Sequence, residues 1–118
     1  MVLVDTSGWV KHLRNGDIAL ADLLDDGDVL CHPFIVGELA CGNLKNRAEI
    51  LGLLQALPMA PIAQHGEVMR FLEDNRLMGK GLGFIDLHLL ASSVLSGIHL
   101  WTLDKRLHQV SLKLGLAY

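Results

Sequence analysis

One pattern, met at both ends of the chain, constrains the fold more than any other: a short, mainly apolar run that delivers an aspartate. At the start, Met1-Val2-Leu3-Val4 leads into Asp5-Thr6-Ser7, and near the end Ile98-His99-Leu100-Trp101 leads into Thr102-Leu103-Asp104. Runs this short read as strands covered on both faces, as in buried parallel sheets. In open sheets of that kind ligands bind just beyond the carboxyl ends of the strands, so both acids stand where chemistry is expected. Asp5 has a second reading, as the cap of a helix over Gly8–Leu13.

Between these two runs, helical and strand patterns alternate. Asp17 opens a helix with Ile18, Ala21, Leu23 and Leu24 as its apolar positions, Gly27 stops it, and Val29-Leu30-Cys31 reads as a second strand. Pro33 starts a helix to Cys41 that is apolar nearly all round, which predicts a largely buried segment with Glu38 as its only charge. A buried carboxylate requires a partner, either a metal ion or a base such as Lys45. An amphipathic helix over Asn46–Leu57 ends at Pro58, Met59–Ala63 reads as an edge strand, and Gln64–Met78 reads as a further helix. Gly79-Lys80-Gly81-Leu82-Gly83 lacks the spacing of a nucleotide-binding P-loop and reads as a flexible approach to the next helix.

That next helix starts at Phe84 and ends at Gly97, with Asp86 in its first turn on the face of Leu89, Leu90 and Ser93. Asp86 is there either as a cap, favoured by the helix dipole, or as an inward ligand. His88 faces elsewhere and reads as a core or surface histidine. Lys105 to Leu114 forms a last helix with one apolar and one basic side. Strands alternating with helices over short links predict a small parallel α/β/α sandwich.

Composition narrows the class. A chain of 118 residues suits one domain, 1–118, with its own core. A hydrophobic fraction of 51% is high for a monomer and points to apolar surface covered by a partner or a second copy. No secretory leader is expected, and the longest uncharged run, Leu87–Leu103, is shorter and more polar than the ~20 residues of a membrane span. Cys31 and Cys41 suggest neither a disulfide framework nor zinc, which makes a reducing cytoplasm the expected setting. The net charge of -3 hides a segregation: Asp17, Asp22, Asp25, Asp26 and Asp28 fall in one stretch. Apart from the candidate site acids, only Glu49, Glu67, Glu73 and Asp74 then oppose ten lysines and arginines, leaving a surface able to meet a phosphate backbone.

Asp5, Glu38, Asp86 and Asp104 can be brought together by a three-layer fold, and an oxygen-only set suits a hard cation such as Mg²⁺ or Mn²⁺. With Val4-Asp5-Thr6-Ser7, Ile35-x-x-Glu38-Leu39, Asp86-x-x-Leu89-Leu90-Ala91 and Leu100-Trp101-Thr102-Leu103-Asp104-Lys105-Arg106-Leu107, the chain resembles PIN-domain ribonucleases over its whole length. Within them it resembles the VapC toxins of toxin-antitoxin pairs. The resemblance implies a PIN-like sandwich in which the four acids bind Mg²⁺ or Mn²⁺ and RNA phosphodiesters are hydrolysed, with Thr6 and Thr102 supporting the acids. It implies a VapB-type antitoxin, with a homodimer as the expected assembly. Some relatives carry a further acid or Asn after the last aspartate. Here Lys105 and Arg106 follow it, as expected RNA contacts and against a fully occupied second metal position. Two alternatives remain at this level: a toxin-like protein that binds RNA without cutting it, and a phosphoaspartyl phosphatase using Asp5. The latter is disfavoured because Ser7 stands where its second aspartate is required.

Overall fold

Val2, Leu3 and Val4 form the central strand β1 (Val2–Val4) of a computed structural model that describes residues 1–118. All three side chains are buried, which is why the run carries no alternation of polar and apolar residues. β2 (Val29–Leu30) pairs with one edge of β1 and β3 (His99–Trp101) with the other, both in parallel. The register sets Leu3 between Leu30 and Leu100. Two extended segments widen this sheet by single parallel bridges, Cys31 with Met59 and Leu100 with Ala117. Cys31 donates its N–H to the Pro58 carbonyl and accepts from Ala60, while Leu100 does the same between Leu116 and Tyr118.

The helices are α1 (Thr6–Asn15), α2 (Ile18–Asp25), α3 (Pro33–Ala40), α4 (Arg47–Gln55), α5 (His65–Asp74), α6 (Phe84–Ser96) and α7 (Lys105–Lys113). α1, α3 and α4 pack in succession, and α5 packs on α6, which lies against β3. Gly8 lets α1 approach the sheet, since a Cβ there would stand 2.7 Å from Val4 Cγ1. Leu20, Ile35, Leu89, Leu90 and Leu107 are fully buried and join the strand residues in one core cluster.

The chain leaves β1 for β2 on one side and returns to β3 on the other. The order therefore reverses between β1 and β3, and the crevice at their carboxyl ends is the topological switch point of the sheet. This is the predicted α/β class with a small central parallel sheet, the PIN fold. Three expectations change in detail. The helix over Gln64–Met78 is shorter because the chain turns left-handed at Arg76, and the Met59–Ala63 strand reduces to one bridge next to Pro61. The α3 helix is not buried all round: Gly37 and Glu38 face solvent.

Candidate active site

Asp5 follows β1 and is 6% exposed. Its backbone N–H donates to the Trp101 carbonyl, so the pairing of β1 with β3 fixes its position. Its Oδ1 accepts from Ser7 Oγ at 2.5 Å and from the Gly8 N–H at 3.2 Å, and its Oδ2 accepts from Thr102 Oγ1 at 2.6 Å. The cap and the site acid are thus one residue: Asp5 closes the first turn of α1 and projects at the switch point.

Thr102 and Ser7 tie the two ends of the chain together. Thr102 Oγ1 donates to Asp5 and accepts from the Asp104 N–H at 3.0 Å. Ser7 Oγ donates to Asp5 and accepts from the Leu103 N–H at 2.9 Å. Asp104 in turn caps α7, its Oδ1 accepting from the Leu107 N–H at 2.9 Å. Sequence reasoning singled out Thr102 but passed over Ser7, whose only signal was a hydroxyl two residues after a strand-end acid.

Asp86 sits at the third position of α6, half-buried, with Oδ2 accepting from the Gly83 N–H at 2.9 Å. Burial pushes its pKa up; the Gly83 hydrogen bond opposes this, and the charges of Asp104, Asp5 and Glu38 add to the rise. The charges of the other three predicted acids are thus felt at Asp86. Glu38 departs from expectation, because it is exposed rather than buried and pairs with no lysine. α3 turns that face to the groove beside α1, where Thr6 Oγ1 donates to Glu38 Oε1 at 2.7 Å. Thr6 thus serves Glu38 and not Asp5.

Each carboxylate keeps one oxygen on a fixed donor: Asp86 on Gly83, Asp104 on Leu107, Glu38 on Thr6. Their second oxygens have no protein partner, and Asp5 Oδ2 shares its lone pairs with one hydroxyl only. As placed, no three of these side chains gather tightly enough to enclose one ion. The chemistry of the set nonetheless fits a hard divalent cation: four anionic oxygen donors, Asp5, Asp86 and Asp104 preoriented at helix N-termini and Glu38 by Thr6, with free oxygens remaining.

Lys105 and Arg106 occupy the first turn of α7, both exposed, with Arg106 folded back over the Gly81 backbone. His88 takes no part in the acid group. It is 5% exposed, edge-on to Phe34 and Phe84 at ring distances of 4.7 and 4.8 Å, and its Nδ1 has no partner. Beside Thr6 and Glu38 a groove of about 520 Å³ opens between α1 and α4, floored by Val10, Leu13 and Ile50 and rimmed by Arg14 and Lys45.

The chain matches the family model described as "PIN domain" over residues 2–113. It is 45% identical over 118 residues to Ribonuclease VapC32 of Mycobacterium tuberculosis, in both strain CDC 1551 / Oshkosh and strain ATCC 25618 / H37Rv, covering 99% of this chain and 95% of that protein. Its fold is similar to the crystal structure of PAE2754 from Pyrobaculum aerophilum, with a TM-score of 0.60 at 18% identity over 97% of this chain and 94% of the other. With the acids at the switch point of a PIN sheet and a VapC ribonuclease alike along almost its whole length, this chain belongs to the PIN domain family, in its VapC-type branch.

Proposed function

We propose that this chain, as a single nuclease domain, is a divalent-metal-dependent endoribonuclease acting as the toxin of a toxin-antitoxin pair. The observation that supports the reading is that Thr102 joins Asp5 and Asp104 at the switch point, with Asp86 near enough to feel both charges and that of Glu38. The VapC relatives, named ribonucleases, support it.

Asp5, Asp86, Asp104 and Glu38 would hold Mg²⁺ or Mn²⁺, which supplies charge neutralisation at a phosphodiester and a more acidic water. The chain's own residues do the rest. Thr102 and Ser7 hold Asp5 by both oxygens, so its carboxylate plane is fixed before any ligand arrives. Thr6 holds Glu38 by one oxygen, leaving the other able to accept a proton or orient a water. Lys105 and Arg106, past the last acid, offer the cationic charge a phosphate backbone needs.

The antitoxin reading rests on the groove beside Glu38. Its apolar floor suits a peptide segment, and a cationic side chain of that segment would neutralise the adjoining acids and exclude RNA.

Incubation with structured RNAs, with Mg²⁺, with Mn²⁺ and with chelator, tests the activity. Cleavage should require the metal, and Asp5→Asn should lower it at least ~10²-fold, the scale of a single preorganised electrostatic group. Cleavage that resists chelator and survives Asp5→Asn would remove metal from the mechanism, and metal-independent RNA binding with no cleavage would leave only a binding protein.

A further inference from the structure

Four carboxylates repel a polyanion, so a nucleic-acid strand that reaches them needs cations alongside. Among the ten lysines and arginines only Lys11 forms an ion pair, with Asp17. Four of the unpaired ones, Arg76, Lys80, Arg106 and Lys113, line a single cleft of about 240 Å³ that no carboxylate enters, with the amides of Asn75 and Gln109 beside them.

Two backbone features shape this cleft around its cations. Arg106 lies against Gly81, where a Cβ would stand 2.6 Å from Arg106 Cδ and 2.7 Å from Nη1, so any larger residue would displace the guanidinium. Arg76 holds the left-handed conformation, φ 52°, that ends α5, its N–H on the Glu73 carbonyl and the next N–H, Leu77, on the Leu72 carbonyl. Glycine suits that position better than any L side chain, and a disfavoured conformation retained by an arginine facing a cleft points to a use for its charge. The cleft also adjoins two acid-bearing elements. Arg106 is two residues beyond Asp104 in α7, and Lys80 and Gly81 precede Gly83, whose N–H holds Asp86.

We propose that this cleft binds backbone phosphates of the RNA strand to one side of the bond at the acids, which rests on the nuclease reading above. The scissile phosphate belongs to the acids, and the flanking phosphates to Arg76, Lys80, Arg106 and Lys113. Phosphate contacts of this kind position a strand without reading its sequence, so the cleft sets affinity and register and not base preference.

Fluorescence anisotropy of a labelled single-stranded RNA, in chelator so that no cleavage occurs, tests this. The double variant Lys80→Gln/Lys113→Gln, both residues exposed and free of hydrogen bonds, should bind about tenfold more weakly. The slope of log affinity against log salt should fall by about 1.4, at ~0.7 for each phosphate contact of a single strand. Arg70→Gln, an equally exposed cation on α5 outside the cleft, should bind like the parent. Arg76→Gly should weaken binding without lowering the melting temperature, which separates loss of charge from loss of fold. Parent-like binding by the double variant overturns the proposal, including the case where the cleft serves an acidic protein. An equal loss in Arg70→Gln overturns it too, by reducing the effect to net charge. Hydrolysis of bis(p-nitrophenyl) phosphate with Mn²⁺ by the parent is scored separately: its failure, with RNA uncut, sinks the nuclease reading whatever the binding data show.

Discussion

At the scale of single residues, Asp86 shows how a site acid and a structural acid can be the same group. Its hydrogen bond to Gly83 stabilises the start of α6, whereas burial and three neighbouring carboxylates oppose its charge. An acid whose folded pKa is raised destabilises the native state above that pKa, because the unfolded chain ionises more readily. Asp86→Asn keeps an oxygen for the Gly83 N–H and removes the charge. In chelator at neutral pH the variant should be more stable by ~0.5–2 kcal/mol, the common gain from relieving strain at a functional position. That corresponds to roughly 2–8 °C in melting temperature for a domain of this size. The gap should close as pH falls through the raised pKa towards the ordinary carboxylate value, where both forms are neutral. Excess Mg²⁺ should raise the parent's melting temperature more than the variant's, and equal shifts in thermal melts would take Asp86 out of the metal set. Asp5, Asp86 and Asp104 were legible because each follows a strand or opens a helix, places where local pattern fixes direction. Glu38 was legible as a candidate but not in its setting, since a composition apolar all round cannot tell which side of α3 faces a groove. Ser7 was hidden because its partner, the Leu103 N–H, lies 96 residues away.

At the scale of elements, helix N-termini organise the molecule, and α3 shows the most sensitive one. His32, fully buried, caps α3: its Nδ1 accepts from the Phe34 N–H at 3.0 Å. Ser92 Oγ donates to the Pro61 carbonyl at 2.6 Å, so His32 Nε2 must be the donor in its 3.1 Å bond to that hydroxyl. The ring is thereby held neutral with its proton on Nε2, and protonation at Nδ1 would break the cap. Burial first, and the charge of His88 second, drive its pKa down to about 4. A base with a depressed folded pKa leaves stability intact above the unfolded value of 6.5 and loses it as pH falls from 6.5 to about 4. The loss is about 3 kcal/mol at most. His32→Asn retains a capping oxygen and does not titrate, so urea melts should show the parent's advantage shrinking over that interval. A constant difference between pH 8 and pH 4, values chosen about the 6.5 to 4 window, would place the sensitivity elsewhere. Every helix was readable from the sequence, and so were the ends marked by Pro33, Phe84, Gly97 and Lys105, but the end of α5 was not. Where α5 stops depends on Arg76 adopting a conformation that its residue type disfavours, a choice made by its surroundings.

At the scale of the whole molecule, the reversal of strand order between β1 and β3 was within reach of the sequence once the two strand-and-acid runs were read as a pair. Of the outer segments, the one at Met59 was read as an edge strand and forms a single bridge, whereas the one at Ala117 was not read, since a single bridge leaves no strand-length pattern. The apolar surplus remains visible on the surface: Ile62, Met69, Phe84, Val94 and Leu95 are all exposed. We expect a homodimer that covers part of this surface, and a monodisperse monomer by light scattering at micromolar concentration would dismiss it. No helix is long and apolar enough to cross a membrane.

The bonds from Ser7 and Thr102 to Asp5 have a further consequence for how such a chain is made. Thr102 lies 95 positions beyond Ser7 and 97 beyond Asp5, so the seat of the first acid is not complete until nearly all of the polypeptide has left the ribosome. A site built this way stays unassembled through most of its own synthesis. Nascent fragments that stop short of Thr102 lack the hydroxyl that holds Asp5 Oδ2 and lack Asp104, so the seat closes only as the last strand and helix join the fold.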